Sequence, residues 1–203
     1  MFSGIVETTT EVRAVARRGR CSRIEFQKPT GWKLRTGESI SIDGICSTLI
    51  FASERLFAVE YMPQTLSKTM ARYLKEGSIV NIERSLRYGD RIHGHFVAGH
   101  IDTVSRILES TKKGRSRHLS IATPRTVARY IVPRGSIAIQ GVSLTVAKKN
   151  HRSFTVALIP HTLAATNLSR LKKGSYVNIE SDMMARYGRL KSHATRGAKK
   201  IRP

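Results

Sequence analysis

An all-β chain built as a tandem duplication of a six-stranded Greek-key barrel, each copy with one short helix and the second followed by a C-terminal helix and a basic tail, is the fold the sequence predicts. Three observations lead there. The length of 203 residues accommodates two domains of about 100 residues each. An internal repeat recurs at a nearly constant offset. Within each copy, short apolar runs rich in Ile, Val, Thr and aromatics alternate with turn signals.

The repeat organises everything else. SISIDGICST, Ser39 to Thr48, lies over SIAIQGVSLT, Ser136 to Thr145, with five of ten positions identical at an offset of 97. In the same register Pro63, Thr65, Leu66 and Thr69 meet Pro160, Thr162, Leu163 and Thr166, and Gly77, Val80, Asn81 and Glu83 meet Gly174, Val177, Asn178 and Glu180. FSGIVETT from Phe2 lies over VAGHIDTV from Val97 at an offset of 95, so two residues enter the second copy before Ser136. A seam near residue 96 divides the chain into a first barrel over 1–95, a second barrel with its helix over 96–192, and a basic tail over 193–203. The unit is too long for a solenoid, so each copy has its own core.

Within a copy, SISI, STLIFA, LFAVEYM and SIVNIE read as strands bounded by Gly, Ser, Asp or Lys. Six such strands in about 95 residues close best as an antiparallel barrel. Between LFAVEYM and SIVNIE, PQTLSKTMARYL and its twin PHTLAATNLSRL each read as a single short helix with proline in the first turn.

Lys plus Arg number 36 against 14 Asp plus Glu, a formal charge of +22. That surplus points to polyanions or acidic partners and says nothing of fold. Two cysteines, Cys21 and Cys46, make no disulfide framework and no zinc spacing. No signal-like or membrane-spanning stretch occurs, so a soluble, cytoplasmic protein with no membrane role is expected. GxSxG, Walker and GxGxxG patterns are all missing, which leaves serine hydrolase, P-loop and Rossmann functions without support.

His93, His95 and His100 cluster at the seam in DRIHGHFVAGHID. With no cysteine nearby and only Asp90 and Asp102 as carboxylates, a metal is the weaker reading; a glycine-lined loop whose backbone approaches a planar ligand is the stronger. Cys46 and Ser143 are equivalent, each followed two residues later by a threonine, Thr48 and Thr145, on the same side of a strand. Spacing alone leaves open whether these residues serve a site or fill the narrow end of a barrel.

MFSGIVE, DGIC with its threonine, NIERSLRYGDR, GHFVAGHID, QGVSLTV, IPHTLAATNL and VNIESD fall in the order and spacing of the riboflavin synthases, two-barrel enzymes of flavin biosynthesis, over residues 1 to about 190. What this resemblance implies is a cofactor-free and metal-free dismutation of two molecules of 6,7-dimethyl-8-ribityllumazine. One gives a four-carbon unit to the other, yielding riboflavin and 5-amino-6-ribitylaminouracil. The family builds each site from the first barrel of one subunit and the second of a neighbour in a homotrimer, so approximation carries much of the catalysis.

Carried over residue by residue, the resemblance implies a first pocket of Cys46, Ser47, Thr48, Glu60, Tyr61, Met62, Pro63, Gln64, Thr65, Gly99, His100 and Ile101, with Gly4, Ile5 and Val6 opposite. It implies a second of Arg134, Ser143, Leu144, Thr145, Ile159, Pro160, His161, Thr162, Leu163 and Ala164, and an interfacial stacking role for Phe2. His100 is the implied proton-transfer group, because the acidic 7-methyl group must lose a proton. Ser39, Cys46, Thr145 and Asp182 are similar to the family's remaining catalytic polar groups. The chain departs from the family at Ser47, where leucine is usual, at Gln140, where the second copy usually has aspartate, and at His93, where glycine is usual.

The family's C-terminal region is an apolar helix that ties the trimer. Here Met183, Met184, Tyr187 and Leu190 begin such a face, and Gly188 with seven basic residues (Arg186, Arg189, Lys191, Arg196, Lys199, Lys200, Arg202) weakens it. Docking of this tail on an acidic lumazine synthase assembly is the further partner considered. Two alternatives stand beside the enzyme. A non-catalytic lumazine or flavin carrier is disfavoured because the related antenna proteins lose the seam motif kept here. A nucleic-acid-binding barrel is disfavoured because the aromatics are scattered and no RNP-like motif occurs. The charge itself is read as a solvated surface.

Overall fold

The computed structural model describes residues 1–194; Arg196, Lys199, Lys200 and Arg202 of the basic tail lie outside the described residues. The first copy runs β1 (Thr8–Arg18), β2 (Cys21–Gln27), β3 (Ser39–Ile42), β4 (Ile45–Ala52), β5 (Leu56–Tyr61), α1 (Pro63–Lys68) and β6 (Ile79–Arg84). The second repeats it as β7 (Thr103–Lys113), β8 (Ser116–Ala122), β9 (Ser136–Ile139), β10 (Val142–Lys149), β11 (Ser153–Leu158), α2 (Pro160–Ala165) and β12 (Tyr176–Ser181), and α3 (Met183–Ala194) follows. Each copy closes into an antiparallel barrel, β1-β2-β5-β4-β3-β6 and β7-β8-β11-β10-β9-β12, with the jump from β2 to β5 (and β8 to β11) making the Greek key. No helix among the described residues is long and apolar enough to cross a membrane.

Strand alternation builds the two cores. In β2 the residues Ser22, Ile24 and Phe26 turn inward, and Phe26 stacks on Phe57 of β5 at 5.2 Å between centroids. The second core gathers Ile107, Leu119, Ile121, Val146, Phe154 and Val156. Each such side chain contributes about 1.5–3 kcal/mol on burial. Both barrels bend at the same places: the β1–β2 register slips between Val12 and Ala14 and the β7–β8 register between Ile107 and Glu109. The slips between Leu49 and Phe51 and between Val146 and Lys148 likewise correspond. The hairpins β3–β4 and β9–β10 turn through Asp43–Gly44 and Gln140–Gly141, all four with positive φ, as two-residue primed turns require.

The segment expected as one helix per copy is two pieces. Thr69, extended at φ −128°, ends α1 and opens a 3-10 turn over Met70–Tyr73. Its hydroxyl donates to the Thr65 carbonyl at 2.8 Å and accepts from the Ala71 amide at 3.2 Å. Thr166 does the same for α2 and the turn Asn167–Arg170. A single hydroxyl thus serves the end of one helix and the start of the next, and the chain turns there.

One departure from the duplication lies inside the first core. Ser47 faces inward, where its hydroxyl donates to the Ile45 carbonyl and shares a 2.9 Å hydrogen bond with the Tyr61 hydroxyl. The equivalent pair in the second core is Leu144 and Leu158, both buried. Burial raises the Tyr61 phenol well above its ordinary value, so it stays neutral and needs its partner. Ser47→Ala is therefore expected to destabilise the chain by about 1–3 kcal/mol through an orphaned phenol. Adding Tyr61→Phe should recover part of that loss in a double-mutant cycle read by urea denaturation.

Candidate functional site

Short segments ahead of β1 and β7 build the site by crossing between barrels. Phe2 and Val97 pair as an antiparallel bridge, with N–H to O distances of 2.8 and 3.0 Å. Beyond it the Gly99 carbonyl accepts from the Cys46 amide at 2.8 Å, while the Gly4 carbonyl accepts from the Ser143 amide at 2.7 Å. Each segment is anchored by a buried carboxylate. Glu83 accepts from the Ser3 and Gly4 amides (2.7 and 3.1 Å), and Glu180 from the Ala98 and Gly99 amides (2.7 and 3.0 Å). Burial pushes both carboxyl groups up, and these amide bonds pull them back. Gly4 and Gly99 sit at φ +74° and +79°, and a Cβ on either would fall within 3 Å of Ser143 or Cys46.

The result in the first barrel is an open pocket of about 260 Å³ lined by Ile45, Cys46, Gln64, Thr65, Lys68, Thr69, Gly99, His100 and Ile101. Cys46 and Thr48 face outward on β4, half-buried and exposed, while Ser47 between them is buried in the barrel. His100 is exposed at the mouth, and Pro63 opens α1, which supplies Gln64 and Thr65. Ser39 pairs across from Thr48, with Glu60 and Met62 exposed at the far end of β5.

In the second barrel Ser143 and Thr145 have the same outward placement on β10. The Ser143 hydroxyl lies 2.7 Å from His95 Nδ1, and the His95 amide donates to the Ser3 carbonyl at 3.1 Å. Burial holds the His95 imidazole below its ordinary value, against the opposing pull of Asp182, so it is neutral near pH 7. Its Nε2 is buried without a partner among the described residues. Asp182 opens α3, accepting from the Met184 amide at 2.9 Å. Ile159, Pro160, His161 and Ala164 are exposed, Thr162 is half-buried, and Leu163 packs on the second core. Arg134 is exposed at φ +65°, where its twin Gly37 has φ +91°. An arginine in the left-handed region costs about 1–2 kcal/mol, a local strain.

Several expected placements are corrected. Gly4 and Val6 lie not opposite Cys46 but on the second barrel, Gly4 at Ser143 and Val6 against its core, because the segments cross at the Phe2–Val97 bridge. Ile5, between them, is exposed. Phe2 is fully buried with Val97, Ala138 and Cys46, so its ring presents no stacking face. Strand alternation turns Ser47, Tyr61 and Leu144 into the barrel interiors, away from the pockets. The seam histidines separate: His100 at the first pocket, His95 at Ser143, and His93 in a hollow of about 520 Å³ beside Ser3, Glu83 and Arg87. Among the described residues no three His, Cys, Asp or Glu side chains gather as a metal ion requires.

The pairing of His95 with Ser143 was not legible, since nothing local connects residues 48 apart. Glu83 and Glu180 had a signal, being an identical carboxylate pair in the repeat.

Where the two hairpin turns meet, Asn81 Nδ2 donates to the Gln140 carbonyl and Asn178 Nδ2 to the Asp43 carbonyl, both at 2.9 Å. Asp43 Oδ1 accepts from the Asn81 amide and Asn167 Nδ2. Complete burial raises Asp43 from 3.8 to about 7. The folded chain holds this proton more tightly than the unfolded one, so Asp43's contribution to stability is fully present below about pH 4 and is lost as pH rises through about 7. Asp43→Asn, which imitates its twin Gln140, should flatten that fall and raise stability at pH 8 by up to about 4 kcal/mol. Denaturation at pH 5 and pH 8 measures it, and an unchanged pH slope would exclude Asp43 as its source.

The lumazine binding domain family matches this chain twice, over residues 3–85 and 98–182. Riboflavin synthase of Actinobacillus pleuropneumoniae is 36% identical over 188 residues, covering 92% of this chain and 87% of its own. That of Bacillus subtilis is 34% identical over 194 residues with the same coverage, and that of Mycobacterium tuberculosis 34% over 192, with 96% of its own length covered. Among solved structures, LumP complexed with riboflavin superposes with a TM-score of 0.84 at 23% identity, covering 89% of this chain and 99% of that one. LumP complexed with 6,7-dimethyl-8-(1'-D-ribityl) lumazine gives 0.81 at 22% with the same coverage. At that identity the likeness speaks to the fold alone.

Proposed function

Since this chain belongs to the riboflavin synthase family and carries two lumazine binding domains, we propose that it converts two molecules of 6,7-dimethyl-8-ribityllumazine into riboflavin and 5-amino-6-ribitylaminouracil. It is an enzyme of riboflavin synthesis. In this reading it acts as a transferase of a four-carbon unit from a donor lumazine to an acceptor, and the atoms of two identical substrates are redistributed with no external reactant.

The observation that carries this reading is the crossed construction, which sets related but unlike groups of side chains at equivalent places on the two barrels. One has Cys46, Thr65 and His100 around a glycine-lined wall; the other has Ser143 with a neutral His95. Two like substrates with unlike roles need such a pair. His100, at the open mouth, takes the proton from the 7-methyl group. His95, with Nε2 protonated and Nδ1 free to accept, draws the Ser143 hydroxyl proton and raises its capacity to add to, or direct water onto, the partner lumazine. Arg134, Thr145 and Asp182 orient the ligand in the second pocket, and Glu60, Gln64 and Thr65 in the first.

The first pocket is open, so in this reading a complete site forms when it faces the Ser143 surface of a neighbour in a homotrimer. Exposed Met184 and Tyr187 on α3 supply apolar surface for that assembly. Sedimentation at several concentrations measures it.

The deciding experiment incubates purified protein, treated with EDTA and freed of nucleotide, with the lumazine alone and follows riboflavin absorbance. Riboflavin is expected without any addition. Binding of lumazine with no turnover would make the chain a carrier, and restoration by added metal would make the seam histidines ligands.

A further inference from the structure

The duplication preserves one feature that the reaction does not use. Arg17-Arg18-Gly19-Arg20 at the β1–β2 turn corresponds, at the offset of 95, to Lys112-Lys113-Gly114-Arg115 at the β7–β8 turn. All eight residues are exposed, and among the described residues none of the six cations has an ion-pair partner. Both turns stand clear of their barrels. β6 pairs with β1 only over Thr8–Glu11, and β5 with β2 only from Ser22 onward. β12 pairs with β7 only over Thr103–Arg106, and β11 with β8 only from Arg117 onward. Each tip is therefore a free two-stranded ribbon carrying three cations. Uncompensated like charges on an exposed turn repel one another, so the fold gains nothing from them.

The surroundings sharpen the pattern. The first ribbon carries the ion pairs Arg13–Glu11 and Arg23–Glu25. The second carries a single carboxylate, Glu109, which forms no ion pair among the described residues, and no acidic residue occurs from Ser110 to Ile179. Neither tip offers an apolar side chain to insert into a bilayer, which disfavours a lipid surface. Neither offers an aromatic on which a single-stranded base could stack. A cationic two-stranded ribbon does match the major groove of a double helix, about 12 Å wide in B-form DNA, with its flanking phosphates.

We propose that the hairpin tips Arg17–Arg20 and Lys112–Arg115 dock this chain on the phosphate backbone of double-stranded nucleic acid, by charge and without base specificity. This differs from the base-stacking barrel that the scattered aromatics disfavour. It also places part of the +22 charge at two equivalent positions. The second tip contributes more, because its ribbon carries no carboxylate pairs.

The test titrates the full-length chain into a fluorescently labelled DNA duplex of about two helical turns over a series of NaCl concentrations. An RNA duplex of equal length and phosphatidylserine vesicles run in parallel. Replacing Arg17, Arg18 and Arg20 by glutamine, or Lys112, Lys113 and Arg115 by glutamine, should flatten the slope of log affinity against log salt by about 2 to 3 each. Affinity at low salt should fall at least about tenfold, more for the second tip. Lysine at the three arginines of the first tip should retain binding. Glutamine at Lys33, Arg35 and Arg55, which removes equal charge elsewhere on the first barrel, should cost less than half as much. Riboflavin formation by every variant reports that the barrels are intact. Tip-dependent binding to either duplex supports the proposal. It is overturned if the duplexes do not bind, if the control triple loses as much as the tips, or if only the vesicles respond to the tip substitutions.

Discussion

His100→Ala is expected to lower turnover of the lumazine by about 100- to 10,000-fold while changing its binding little, the range typical of a lost general acid or base. The side chain stands at the mouth of the first pocket, beside Cys46 and Thr65. The backbone just before it is held independently: the Glu180 carboxylate accepts from the amides of Ala98 and Gly99. Truncation therefore removes the imidazole without moving the wall, and a fall in kcat at nearly constant KM marks a group acting in the transition state. Initial rates of riboflavin absorbance give kcat, and titration of the lumazine gives binding. Unchanged kcat would return His100 to a structural role and leave proton transfer to the His95–Ser143 pair.

Gly44→Ala should destabilise the whole chain by roughly 2–5 kcal/mol, combining left-handed strain with an overpacked contact. Gly44 has φ +83°, and a Cβ there would lie 2.7 Å from the Gly141 amide nitrogen; Gly141 faces the Gly44 nitrogen at the same distance. Backbone meets backbone at the join between barrels, so neither side can yield without moving a hairpin. Gly77→Ala is the control: it shares a positive φ of +79° but has open space around it, and should cost only the strain. Urea denaturation of both variants measures the difference. Equal losses would show that the hairpin contact is not tight in solution.

The duplication and the all-β class are legible in the order of residues alone. Copies of one barrel repeat the same apolar alternation and the same turn residues, and these are local properties that survive in the order of residues. Cys46 and Ser143 were legible as equivalents for that reason, and outward placement on β4 and β10 followed from strand period alone. The helix break at Thr69 and Thr166 was not, because a hydroxyl that ends one helix while capping the next competes with a pattern that otherwise continues. Tertiary packing sets which barrel each segment reaches. The crossing of Gly4 to Ser143 and of Gly99 to Cys46, the burial of Phe2 and the 2.7 Å approach of His95 to Ser143 join residues far apart in the chain. Two copies of one barrel can exchange equivalent segments with no change in local pattern. Each segment is anchored on its own barrel by Glu83 or Glu180, while the Gly4 or Gly99 carbonyl reaches an amide of the other barrel, a pairing of buried backbone groups that only the packed structure brings within reach.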